Sequence, residues 1–171
     1  MRAPQASASR PRPSAPQGRV ALPKVRRSRV IDAPREQIWA LISDPHHLPR
    51  WWPRTIRVED VRQMPGGRRS RWTTVLGTER GRGVRIDYRC TSATQGERYA
   101  WEQDIERTPF EKILRSAALE IHLEGRNGGT VVTLAGSERL RGLSRLGSPM
   151  MRRAIRRRLN EALDGIERAL T

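Results

Sequence analysis

Apolar residues follow two different periods along this chain, and the switch between them divides it. Around residues 31–53, IDAPREQIWALISDPHHLPRWWP, they recur at helical spacing; from about 55 to 137 they alternate one in two; from 148 to the end the helical spacing returns. Ile38, Trp39, Leu41 and Ile42 make a wide apolar stripe on a predicted helix at 34–43. Pro34 suits its first turn, where a missing N–H leaves nothing unpaired. Asp44 is a candidate N-cap for a second, short helix at 45–51, bounded by Pro49 and Pro53. A strand at 24–31, KVRRSRVI, precedes them; its basic residues predict an edge position, with Val25, Val30 and Ile31 supplying apolar contacts.

The alternating region predicts strands at 55–64, 69–77, 83–91, 98–106, 113–124 and 130–137, with Pro65-Gly66-Gly67 and Asn127-Gly128-Gly129 as turns. In 83–91, Val84, Ile86, Tyr88 and Cys90 alternate with Arg85, Asp87 and Arg89. Trp72, Thr74 and Leu76 share a face, as do Tyr99, Trp101, Gln103 and Ile105, and Ala117, Leu119, Ile121 and Leu123. The final helix, 148–170, carries Met151, Ile155, Leu159, Ala162, Leu163, Ile166 and Leu170 on one stripe. One sheet face covered by one long helix is an economical two-layer solution. The expected class is α+β.

The order strand, two short helices, six strands, long helix, headed by Asp32-Ala33-Pro34, Ile38-Trp39, Asp44-Pro45 and Trp51, resembles the START-like superfamily. Within it the chain is similar to the polyketide cyclase/dehydrase and lipid-transport group, also called SRPBCC. Gly129-Thr130-Val131 and the ending LDGIERAL also fit, and the resemblance runs over about residues 24–170. It implies a helix-grip fold, a seven-stranded antiparallel sheet curled around the C-terminal helix with a cavity between them. These motifs mark helix starts and core contacts, so they specify a fold and not a reaction.

Composition adds a tail and a charge. Residues 1–22 hold four arginines, no acid and few apolar groups, which predicts a disordered basic tail ahead of a domain spanning 24–171. Net charge is +16, almost all from arginine, since Lys24 and Lys112 are the only lysines. Eight arginines and no acid lie between residues 139 and 158. Arg152, Arg153, Arg156 and Arg157 form an anion-binding candidate for nucleic acid or an anionic membrane. The rival reading is a solvated helix face in an arginine-biased composition. Cys90, the single cysteine, cannot close an intrachain disulfide, and no stretch approaches the roughly 18 apolar residues of a membrane span. With no secretory h-region at the N-terminus, the expectation is a cytoplasmic protein.

Candidate chemistry is sparse. Thr74, Ile86, Tyr88, Trp101, Gln103 and Leu119 are expected to line a cavity of roughly 300–1,000 Å³, with Trp51 or Trp52 at its mouth. Gln103 and Tyr88 would orient a small hydrophobic or aromatic ligand of lipid, polyketide or isoprenoid type. The inward registers contain no Asp, Glu, His or Lys, which argues against acid–base catalysis; Arg85, Asp87, Glu102 and Glu120 fall on the opposite, solvent-facing register. The enzymatic alternative is an aromatase/cyclase-like protein that orients a reactive chain. The other is a basic RNA- or ribosome-associated module. His46 and His47 sit in a Pro-flanked turn and, with His122 and Cys90, supply no metal set; no cofactor is expected. The GTERGRG run at 77–83 reads as a hairpin, because no lysine or helix follows it.

Overall fold

A computed structural model describes residues 24–77, 81, 83–106, 108–141 and 148–171. The tail assigned to residues 1–22 and most of the hairpin tip at 77–83 lie outside the described residues. The elements run β1 (Lys24–Ile31), α1 (Arg35–Ser43), a 3₁₀ turn (Pro45–His47), α2 (Leu48–Trp51), β2 (Thr55–Arg62), β3 (Arg71–Leu76), β4 (Val84–Thr94), β5 (Arg98–Asp104), β6 (Leu114–Arg126), β7 (Gly129–Leu140) and α3 (Ser148–Leu170). The seven strands form one antiparallel sheet in the order β1-β7-β6-β5-β4-β3-β2. The chain thus meanders from β2 to β7, and β1 closes onto β7 at one edge. Asp44 caps the second helical segment, its Oδ1 accepting from His46 N–H at 2.9 Å. The second helix expected over 45–51 divides into that 3₁₀ turn and α2.

The inner sheet face is the expected one: Trp72, Ile86, Cys90, Tyr99, Trp101, Leu119, Ile121, Leu123, Val132 and Leu134 are buried, and all but Ile86 belong to one core with Ile155, Leu159, Ala162, Leu163 and Ile166 of α3. A Cβ built on Gly136 would sit 3.0 Å from Ile155 Cγ2 and 3.7 Å from both Leu159 methyls. The missing side chain therefore lets α3 lie close on β7. Arg29 on β1 joins the edge strand to α3 through Asp164 at 2.6 Å and Glu167 at 2.9 Å. Val30, expected to make apolar contact, is instead 48% exposed, because the inward positions of β1 are Val25, Arg27, Arg29 and Ile31.

The outer face departs from the expected uniform exposure. Arg85 and Asp87 are exposed, but Glu102 is only half-buried against Arg89 and Glu120 is largely covered. Lys24, Arg98 and His122 converge on Glu120 at 2.6, 2.6 and 3.0 Å. Partial burial alone would raise the Glu120 carboxyl. The hydrogen bonds from Lys24 and His122 and the charge of Arg98 outweigh it and hold the group at about 2.

Candidate functional site

The site is built where α2, the inner sheet face and the first half of α3 meet. β4 and β5 put Tyr88 and Gln103 directly opposite each other, and β5 and β6 pair Trp101 with Leu119. β6 and β7 pair Leu119 with Gly136 and Ala117 with Glu138. Trp52 reaches this patch from the end of α2, and Arg158 and Leu159 close it from α3. The space between them, partly open to the surface, is about 30 Å³. That is room for about one water molecule, far below the expected volume.

Tryptophans account for the shortfall. Trp101 sits at the centre of an aromatic cluster, with ring centroids 5.9 Å from Trp51, 5.7 Å from Trp52 and 5.8 Å from Trp72. Tyr99 lies 5.6 Å from it and Tyr88 stacks on Trp72 at 5.9 Å. These edge-to-face and stacked pairs fill the interior. The expected volume, that of an ordinary small-molecule site, left out the space these rings take.

Of the residues expected around a ligand, Trp52, Tyr88, Trp101, Gln103 and Leu119 come together on this wall. Trp51, Thr74 and Ile86 are buried but do not line it. Trp51 is a packing residue: its backbone lies against Gly165 of α3, where an added Cβ would be 2.8 Å from Trp51 Cα. Thr74 has no side-chain partner for its buried hydroxyl. The expected anion-binding set, Arg152, Arg153, Arg156 and Arg157, is exposed on α3, and Arg157 is engaged by Glu161 at 2.7 Å.

The two charged residues of the site were not foreseen. β7 continues to Leu140 rather than stopping at 137, so its inward alternation of Val132, Leu134 and Gly136 carries on to Glu138. Glu138 lines the cavity with its side chain 8% exposed, and it pairs with Arg158, whose guanidinium carbon lies 6.0 Å over the Trp52 ring. The inward register therefore does hold one carboxylate. The signal was present in the period-two pattern, had the strand been followed past the small residues Ala135, Gly136 and Ser137. Arg158, the last arginine of the basic run at 139–158, leans back over the sheet toward Glu138.

The polar chemistry of the wall is unbalanced. Gln103 Nε2 and Arg158 Nε are both buried without a hydrogen-bond partner. Each is a donor. Burial pushes the Tyr88 hydroxyl up to about 12, so it too stays protonated at neutral pH. Among the described residues no three His, Cys, Asp or Glu side chains group to hold a metal ion, and no helix is long and apolar enough to cross a membrane.

A family model described as polyketide cyclase / dehydrase and lipid transport matches residues 23–171. No curated protein sequence matches the chain. Solved structures similar to it include a START superfamily protein from Mycobacterium smegmatis, with a TM-score of 0.69 at 12% identity over 86% of this chain and 96% of that one. A protein from Thermus thermophilus has a TM-score of 0.67 at 21% identity over 86% and 97%. The di-domain ARO/CYC BexL from the BE-7585A biosynthetic pathway has a TM-score of 0.69 at 12% identity, over 86% of this chain but 49% of BexL. Identities this low establish the fold and leave the activity open.

Proposed function

The chain belongs to the polyketide cyclase/dehydrase and lipid-transport family, and from that premise we propose that it binds a small apolar or aromatic molecule, bearing at least one oxygen acceptor, between sheet and helix. The observation that carries this reading is the pair of buried, unpartnered donors on one wall, Gln103 Nε2 and Arg158 Nε. An unpartnered buried donor is costly, on the order of 1–3 kcal/mol, and a ligand carbonyl or phenol oxygen would supply both. Trp52, Trp101 and Leu119 offer the matching apolar surface.

At about 30 Å³ the space is too small for such a ligand as it stands. Binding therefore requires Arg158 to leave Glu138 and the Trp52 ring to swing off Trp101, opening the wall between α2 and α3. Native mass spectrometry of protein purified from its own host tests this. A retained small molecule in wild type that is lost from Gln103→Leu, with the fold intact, supports the reading. Bare protein in both refutes it, because a site filled by one water needs no ligand.

Glu138 favours a second reading, an aromatase/cyclase-like enzyme. Its carboxylate is the one acid on the wall, and it stands within reach of whatever the donors orient. On this reading Glu138→Gln abolishes turnover of a reactive poly-ketone chain while leaving its binding in place. Unchanged turnover removes it.

A further inference from the structure

We propose that the end of the molecule formed by the start of β6, the end of β7 and the first turns of α3 docks on an anionic lipid bilayer. This surface is independent of the cavity and docks whether or not a ligand is bound inside.

The placement follows from the topology. Arg141 N–H donates to Ile113 O at 2.9 Å, so the start of β6 and the end of β7 lie side by side. α3 runs antiparallel to β7: its later residue Asp164 meets Arg29, which pairs with Val132, whereas Arg158 meets Glu138 farther along the strand. The first turns of α3 therefore stand at the same end as Leu140 and Ile113. Met150 there is 80% exposed, the most exposed large apolar side chain described, and Ile113 is 50% exposed. Lys112, Arg115, Arg141, Arg152 and Arg153 are exposed around them. None of the five appears in an ion pair among the described residues, a condition they share with other exposed arginines such as Arg68 and Arg126, so it is the apolar pair Met150 and Ile113 beside them that marks this end.

Exposed apolar tips with five exposed cations around them match a bilayer with acidic headgroups. The arginines meet phosphates while Met150 and Ile113 enter the acyl boundary. A nucleic acid uses the charge but gives the two apolar side chains nothing to contact. No aromatic residue, the group on which bases stack, occurs between residues 139 and 158.

The test is sedimentation of the full chain with vesicles of phosphatidylcholine containing phosphatidylglycerol, against vesicles of phosphatidylcholine alone, with single-stranded RNA as a competitor. The expected result is partitioning onto the acidic vesicles only, weakened by salt. Each arginine removed should lower it on the order of fivefold, so Arg152→Gln with Arg153→Gln lowers it on the order of 25-fold. Met150→Ser with Ile113→Ser keeps the charge and should lower it on the order of tenfold or more. Arg68→Gln with Arg126→Gln, matched in charge but away from this end, should come close to wild type. All three double variants replace exposed side chains, and unchanged Tm and far-UV circular dichroism confirm their fold. Failure of wild type to bind acidic vesicles overturns the proposal. So does equal binding by the Met150/Ile113 variant, which would leave a purely electrostatic patch, and so does displacement from vesicles by RNA.

Discussion

Gly165 offers a test in which two ordinary effects have opposite signs. It lies in the interior of α3, where glycine is worse than alanine by about 1 kcal/mol. Helix propensity alone therefore makes Gly165→Ala stabilising. The packing says otherwise. A Cβ at this position would lie 2.8 Å from Trp51 Cα and 2.9 Å from Trp51 carbonyl carbon, and closer still to its carbonyl oxygen. These are backbone atoms, so no side-chain rotation relieves the overlap. Overpacking of this kind costs about 1–3 kcal/mol, and because the obstruction is main chain the upper part of that range applies. The net is a loss of roughly 1–2 kcal/mol. At about 2–4 °C per kcal/mol for a chain of this size, Tm should fall by roughly 2–8 °C. Since α2 leads directly into Trp52, the displaced helix should change the near-ultraviolet circular dichroism of the tryptophan cluster as well. Asn160→Ala, at an exposed position of the same helix, should hold or raise Tm. A rise in Tm for Gly165→Ala would show that α2 and α3 are not in backbone contact, and the positioning of Trp52 would lose its basis.

Other predictions rest on the same packing. Leu159→Ala or Ile166→Ala, each fully buried, should cost about 2–5 kcal/mol in denaturant unfolding, against roughly 0.5 kcal/mol or less for the exposed Arg156→Gln; equal losses would mean the helix face is misassigned. Glu120→Gln should destabilise the protein at neutral pH. The folded carboxyl is depressed from 4.5 to about 2, so the stability it contributes is present above pH 4.5 and lost as pH falls toward 2. The difference between wild type and variant should therefore close over that window in pH-dependent unfolding, and a difference that persists at pH 2 would refute the ion cluster. Arg29→Gln should release the β1 edge and speed amide exchange there; unchanged exchange would show that Asp164 and Glu167 do not hold the strand.

Much of the fold was legible because each element repeats its own signal. The alternation Leu119, Ile121, Leu123 and the stripe Ile155, Leu159, Ala162, Ile166 point to one core from both sides, and a register slip would expose the strand positions. The site was legible only in part. Pattern placed Tyr88, Gln103, Trp101 and Leu119 on one wall, because cross-strand neighbours share a face. It said nothing of how far Trp52 and Trp101 would reach into the space, since side-chain volume from separate elements adds up only in three dimensions. It also truncated β7 at a run of small residues and so lost Glu138. Arg158 was hidden for a different reason: a long side chain at the border of an apolar stripe can turn either way, and the buried Glu138 carboxylate settles its direction.

The most direct test of ligand binding between sheet and helix is fluorescence titration with 6-propionyl-2-(dimethylamino)naphthalene, a neutral aromatic probe bearing one carbonyl acceptor, comparing wild type with Ala117→Trp. Ala117 lines the cavity, and an indole there would occupy the volume a ligand needs. The account predicts saturable one-to-one binding to wild type, with quenching of the tryptophan cluster, and its loss from an Ala117→Trp protein that keeps its Tm. No saturable binding to wild type, or equal binding to the filled variant, would contradict it.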